Sequence, residues 1–242
     1  MGSIAENIAY VRGRIAAAAE RSGRGAEDIT LVCVTKTRTV DEIAEVIREG
    51  EYWLGENRVQ EFLGKYDKVL DIADGMGKKP NIMWNLIGQL QRNKVKYITD
   101  KVCLVHSVDS FRLAEEINSR ACQADRAVQA LIQINAGGEA GKSGVALSEC
   151  RALAGEIAKR LPWVALRGLM AVVPLAEDPD DVRGCFRDVK RVFDLLKEER
   201  GGSETGFEYL SMGMTNDYEV AIEEGATMVR VGTAIFGPRN YG

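Results

Sequence analysis

Lys36 closes the short apolar run Leu31-Val32-Cys33-Val34-Thr35 and is followed by Thr37 and a helix-start signal. Side chains alternate along a strand, so this spacing sets Val32, Val34 and Lys36 on one face, with the amine at the strand's carboxyl end. Partial desolvation there disfavours the ammonium and frees the neutral amine to attack a carbonyl, which is the chemistry of a Schiff-base lysine. A lysine that simply reaches solvent is the plainer alternative, and Lys36 alone does not decide between them. Two C-terminal segments point to a second kind of chemistry. In Arg230-Val231-Gly232-Thr233-Ala234-Ile235-Phe236-Gly237 a glycine permits close backbone approach, and a hydroxyl and fresh amides follow at a short helix start. The segment Gly213-Met214-Thr215-Asn216-Asp217 is expected to open a helix at Thr215. Two such helix starts side by side would form a cup of amide and hydroxyl donors suited to a phosphate group. A tight turn at Gly232 and a plain helix cap at Thr215 stay open as structural alternatives.

Positioning these groups requires a regular frame, and the chain has one. Strand patterns fall near 30–36, 51–55, 82–88, 102–106, 128–135, 166–173, 207–212 and 227–231, with helical periodicity between most of them. Thr39-Val40-Asp41-Glu42 reads as a capping box; Ile43, Val46 and Ile47 follow as a buried stripe, and Gly50 stands where a C-terminal glycine belongs. Val182, Phe186, Val189, Phe193 and Leu196 make a second stripe after Pro179, and Ile4, Ile8, Val11 and Ile15 make an N-terminal one. About eight strand-helix repeats in roughly 250 residues, preceded by one extra helix, is the arithmetic of an α/β protein folded as a (β/α)8 TIM barrel. The expectation is a single domain over 1–242; an open doubly wound sheet is the alternative. In a barrel, reactive groups gather at the carboxyl ends of the strands. Those ends carry Lys36, Glu56-Asn57, Gly88-Gln89, His106-Ser107, Asn135, Pro174, Ser211-Met212-Gly213 and Arg230-Val231-Gly232-Thr233.

Composition removes several function classes. The chain has 32 basic and 36 acidic residues and a formal charge of −4, with no recurring basic block, which argues against nucleic acid. Five cysteines, Cys33, Cys103, Cys122, Cys150 and Cys185, are widely spaced without a Cys-x-x-Cys pair, the pattern of reduced thiols rather than of a disulfide framework or zinc site. No apolar stretch reaches the roughly 20 residues of a membrane span, so a soluble, cytoplasmic protein with no membrane partner is expected.

Taken together, Thr35-Lys36-Thr37, Gly55-Glu56-Asn57-Arg58-Val59-Gln60-Glu61, the run from Trp84 to Lys94, Leu210-Ser211-Met212-Gly213-Met214-Thr215 and Val229 to Gly237 resemble the motifs of the pyridoxal phosphate homeostasis proteins, the YggS/PROSC type. The resemblance runs over almost the whole chain, with several long motifs in the right order. It implies a barrel related to the N-terminal barrel of alanine racemases, with pyridoxal 5′-phosphate held as an internal aldimine on Lys36. It also implies a role in buffering that cofactor and delivering it to pyridoxal phosphate-dependent apoenzymes, without a strong reaction of its own; a monomer is expected. Residue by residue, the resemblance places Asn57 near the ring substituents and Thr215, Gly232 and Thr233 on the phosphate, with Ser211 as a further donor on the same rim. Arg230 is similar in position to the arginine facing the pyridine nitrogen in alanine racemases. A guanidinium does not readily give up a proton, which would leave that nitrogen unprotonated and the electron sink weak. A salt bridge inside the barrel mouth is the structural alternative for Arg230. A pyridoxal phosphate-dependent racemase and an unrelated phosphate-binding isomerase remain as other functional readings.

The chain departs from the family pattern in places. Asn85 stands where many members carry histidine, Gln89 occupies a variable or histidine position, and Thr215 replaces a common serine while keeping its hydroxyl. His106, the only histidine, is expected to be a barrel residue. Ala136 to Ser143 mimics a nucleotide-binding P-loop, but Gly144 interrupts the helix start such a loop needs, and the next good N-cap is Ser148. This segment instead resembles the family's Lys-Ser-Gly loop, with Lys142 as a surface contact.

Overall fold

A computed structural model describes residues 2–76, 80–138, 141, 143–202 and 206–238. Eight parallel strands close into a barrel in sequential order: β1 (Thr30–Val34), β2 (Trp53–Glu56), β3 (Met83–Leu86), β4 (Leu104–Val108), β5 (Val128–Asn135), β6 (Val164–Val172), β7 (Tyr209–Ser211) and β8 (Met228–Val231). Helix α1 (Ile4–Arg21) precedes the barrel, and α2 (Val40–Arg48), α3 (Val59–Gly75), α4 (Phe111–Gln123), α5 (Leu147–Arg160), α6 (Arg183–Glu199), α7 (Tyr218–Glu223) and α8 (Thr233–Phe236) follow strands around its outside. After β3 the crossover is a 3-10 helix, Arg92–Tyr97. The expected barrel with its extra N-terminal helix is therefore the observed architecture.

The residues that build these elements are those the patterns pick out. The Thr39 hydroxyl accepts from the Glu42 amide at 3.2 Å, and Glu42 accepts from the Thr39 amide at 2.7 Å, a complete capping box at the start of α2. Gly50 takes a left-handed φ of 86° just past its end. Ile8, Val11 and Ile15 of α1 are buried, and Asn7 Nδ2 donates to the Ile235 carbonyl at 2.9 Å, so α1 lies against the helix after β8. Alternate residues along each strand divide between two cores. Leu31 and Cys33 face the helices, whereas Val32, Leu104, Leu131, Met170 and Met228 pack together inside the barrel. That inner cluster is the floor on which the polar carboxyl-end layer sits.

Three local expectations are corrected. The helix after β7 starts at Tyr218, not at Thr215: the Asp217 carboxylate takes the Met214 amide and the Asp217 amide returns to the Met214 carbonyl at 3.1 Å, which closes a separate turn first. The first strand ends at Val34, so Lys36 lies in the turn beyond it. Helix α5 is capped at Ala146, whose amide the Glu149 carboxylate accepts at 3.2 Å, and Ser148 lies inside the first turn. Glu139, Ala140 and Lys142 of the P-loop mimic lie outside the described residues, as does the surface contact expected of Lys142.

Candidate functional site

The carboxyl ends of β1, β2, β6, β7 and β8 surround a cavity of about 460 Å³, within the range of small-molecule sites of about 300–1,000 Å³. Lys36 and Asn57 lie on one side, Thr215, Gly232 and Thr233 on another, and Arg230 lines it as well. Val34, Ile87, Val172, Leu175 and Met214 supply apolar wall. Six of the seven residues expected at the site thus share one cavity. Ser211, the seventh, is fully buried and does not line it.

Strand alternation and the turn after β1 together explain how Lys36 reaches the cavity. Val32 packs inside the barrel, Val34 lines the cavity wall, and half-buried Lys36, two residues past the end of β1 in the turn that follows, lines the same cavity. Across the β1–β8 register Val32 pairs with Arg230 and Cys33 with Val231, which brings the last strand's carboxyl end beside the first. A Cβ on Gly232 would lie 3.3 Å from Val34 Cβ, so a side chain there would crowd β1. The Gly232 amide points at Thr215 Oγ at 3.4 Å, joining the β7 and β8 loops into one donor group even though Thr215 is not on a helix. Asn57 is fixed from β3: a Cβ on Gly88 would come within 2.3 Å of the Asn57 carbonyl oxygen, so only glycine fits. Asn57 Oδ1 is buried without a protein partner and lies at the cavity wall.

Arg230 is held by neutral oxygens. It donates through one terminal nitrogen to the carbonyl and hydroxyl of Ser211, both at 2.8 Å, and through the other to the Ala171 carbonyl at 2.9 Å. None of these partners is a carboxylate, so the salt-bridge alternative does not describe it. Burial pulls the guanidinium down to about 10, with Asp217 opposing, and it stays charged at neutral pH. The expected rim donor Ser211 lies behind it and hydrogen-bonds His106 Nδ1 at 3.1 Å. His106 Nε2 meets Asn85 Oδ1 at 3.1 Å, while the Asn85 amide nitrogen donates to the carbonyls of Leu54 and Met83. Asn85 Oδ1 can only accept, so Nε2 carries the imidazole proton and Nδ1 accepts from the Ser211 hydroxyl. Burial, seconded by the Arg230 charge, holds this imidazole well below its usual basicity. His106 is therefore a neutral barrel residue, as its sequence setting implied. The chain from Arg230 through Ser211 and His106 to Asn85 was not read in advance, although strand alternation puts Arg230, Ser211 and His106 two residues beyond Met228, Tyr209 and Leu104 of the inner cluster.

A lysine amine, a donor cup and an immobilised cation around one apolar-walled cavity suit a flat, phosphorylated aldehyde, and the orphan acceptor on Asn57 suits a ring substituent that donates. A barrel of this build defines a class, and comparison supplies it. Residues 4–240 match the family model of the alanine racemase N-terminal domain. A pyridoxal phosphate homeostasis protein of Aquifex aeolicus is 43% identical over 236 residues, covering 98% of both chains. One from Escherichia coli K12 is 40% identical, covering 100% of this chain and 99% of its own. Among solved structures, the Synechococcus elongatus protein PipY with pyridoxal phosphate bound aligns with a TM-score of 0.80 at 29% identity, over 97% of this chain and all of that one. An alanine racemase of Clostridium difficile shares the fold, with a TM-score of 0.71 at 17% identity, and 57% of its chain is covered. The chain belongs to the pyridoxal phosphate homeostasis proteins within the alanine racemase N-terminal domain family.

Proposed function

We propose that this chain binds pyridoxal 5′-phosphate through a Schiff base on Lys36 and serves to hold the cofactor and hand it on. The observation that carries this reading is the convergence of Lys36, Asn57, Arg230 and the Thr215–Gly232–Thr233 donors on one cavity. The Lys36 amine would condense with the aldehyde, with loss of one water. Thr215, Thr233 and the Gly232 amide region would hold the phosphate, since charge-assisted hydrogen bonds are the strongest neutral-pH contacts such a rim offers. Asn57 would orient the ring. When bound, the cofactor supplies an electron sink only as strong as its ring nitrogen's partner allows, and Arg230 keeps its own protons. Ser211 acts by holding Arg230. We further place the function in the cytoplasm, with 1–242 acting as one monomeric domain that passes the cofactor to pyridoxal phosphate-dependent apoenzymes. The five cysteines are free, in keeping with a reducing compartment.

Transfer is the direct test of the carrier role. Protein loaded with the cofactor and freed of excess should restore activity to a pyridoxal phosphate-dependent apoenzyme at a rate set by release. Complete retention in the presence of excess apoenzyme would contradict delivery.

A further inference from the structure

A second lysine is built into the ground under the first. Lys65, on α3, is nearly buried, and its ammonium donates to the Thr35 carbonyl at 2.8 Å, to Glu56 Oε1 at 2.7 Å and to Glu61 Oε1 at 2.6 Å. These three bonds use every proton the ammonium has. Glu56 is fully buried; its Oε1 also takes the Thr35 hydroxyl at 2.7 Å, and its Oε2 has no protein partner. Glu61 Oε1 in turn accepts from the Thr37 amide. Thr35 and Thr37 flank Lys36. The lysine that faces the cavity is thus fastened on both sides to one ammonium, directly through the Thr35 carbonyl and by way of Glu61 through the Thr37 amide.

The turn so fastened is one the sequence disfavours. The Arg38 amide donates to the Thr35 carbonyl at 3.0 Å, so Lys36 and Thr37 are the two central residues of a β-turn. Thr37 has φ 65°, and only it and Asp125 are non-glycine residues at positive φ among the described residues. Turns with a left-handed third residue usually place glycine or asparagine there, and a β-branched side chain in that region is strained. Such a conformation persists only where its surroundings over-determine it. Here the surroundings are Lys65, Glu56 and Glu61, together with Arg38, whose guanidinium bonds the Phe236 and Gly237 carbonyls beyond β8.

We propose that Lys65 and Glu61 are positioning residues for Lys36, holding the Thr35–Arg38 turn in a conformation that aims the Lys36 amine into the cavity. The proposal rests on the Schiff-base reading of Lys36, and it makes a distinction that a general structural role does not. Misdirecting the amine weakens ligands that bond to it and spares ligands that use only the cup.

The test compares pyridoxal 5′-phosphate with pyridoxine 5′-phosphate, which carries an alcohol in place of the aldehyde. Glu61 is partly exposed, and Glu61→Ala leaves the Lys65–Glu56 pair intact. Releasing a strained turn should weaken the aldehyde ligand and slow its borohydride trapping by about tenfold, with the alcohol ligand changed by less than about twofold. Lys65→Met should do the same. Adding Thr37→Gly, which makes the left-handed turn intrinsically accessible, should restore most of the loss in both backgrounds. Unchanged trapping in a folded Glu61→Ala protein, equal losses for the two ligands, or no restoration by Thr37→Gly would each overturn the proposal. So would failure of both variants to fold, which would make the cluster a folding element. Absence of a Lys36 adduct in the unsubstituted protein would instead overturn the underlying Schiff-base reading.

Discussion

Ser211 stands between Arg230 and His106, accepting from the guanidinium at 2.8 Å and donating its own proton to the imidazole Nδ1 at 3.1 Å. One hydroxyl on β7 therefore couples the Arg230 guanidinium to the only histidine, accepting from one and donating to the other. Ser211→Ala would leave the buried Nδ1 unsatisfied and free one Arg230 proton, at a cost of about 1–3 kcal/mol. Urea unfolding at neutral pH should show that loss. Cofactor affinity should fall less than it does for Thr215→Ala, since Ser211 does not touch the cavity. A larger binding loss than stability loss would move Ser211 to the rim.

The same imidazole gives stability a pH dependence of known sign. In the folded barrel His106 resists protonation, whereas in the unfolded chain it takes up a proton below about pH 6.5. The unfolded state then binds more protons, so this contribution is complete above that pH and is lost as pH falls below it, with a limiting slope of about 1.4 kcal/mol per pH unit. Glu56 and Asp217, both pushed up by burial, act in the opposite sense. The difference between the unsubstituted protein and His106→Gln isolates the imidazole. Unfolding free energies between pH 7.5 and 5.5 should fall more steeply for the former; parallel curves would show that His106 takes up its proton as readily in the fold as in the unfolded chain.

For the donor cup, Thr215→Ala and Thr233→Ala should each weaken pyridoxal 5′-phosphate more than pyridoxal. A charge-assisted hydrogen bond is worth about 1.5–3 kcal/mol, or roughly ten- to hundredfold in affinity. Titration followed by absorbance resolves the two ligands. Equal losses would mean that these hydroxyls serve the loops rather than the phosphate.

Catalysis on amino acids should be slight. Arg230 keeps its protons, and His106 is sealed behind Ser211, so neither offers the ring nitrogen a proton nor moves one at a substrate carbon. Exchange of the α-hydrogen of alanine in heavy water should stay far below about 1 per second, the lower range of ordinary enzymes. Exchange at that rate, abolished in Lys36→Ala, would make the protein a true catalyst.

Much of this was legible before the fold was known, for reasons that lie in particular residues. The α2 capping box is local chemistry, complete within four residues, and it was read correctly. So were the alternation that faces Val32 and Val34 inward and the barrel that eight such units imply, while Lys36 reaches the cavity from the turn past the strand rather than from the strand itself. The helix expected at Thr215 failed because a single side chain, Asp217, closes its own turn on Met214 before the helix begins. Ser211 was placed one layer too high, since its partner lies 105 residues away on β4 and only the closed barrel brings them together. The Lys65 cluster escaped notice for a similar reason. Charges on the second turn of an amphipathic helix read as solvated until β1 and β2 are seen to cover them.

Lys36 is the lysine proposed to bond the cofactor, and peptide mapping after borohydride reduction is the sharpest test of that bond. Protein incubated with pyridoxal 5′-phosphate should absorb in the visible, lose that band on reduction and yield one modified peptide, with the added mass on Lys36. Lys65 should stay unmodified, because its ammonium is committed to Thr35, Glu56 and Glu61. Modification at Lys65, Lys94 or Lys142 in place of Lys36, or no adduct at all, would contradict the assignment.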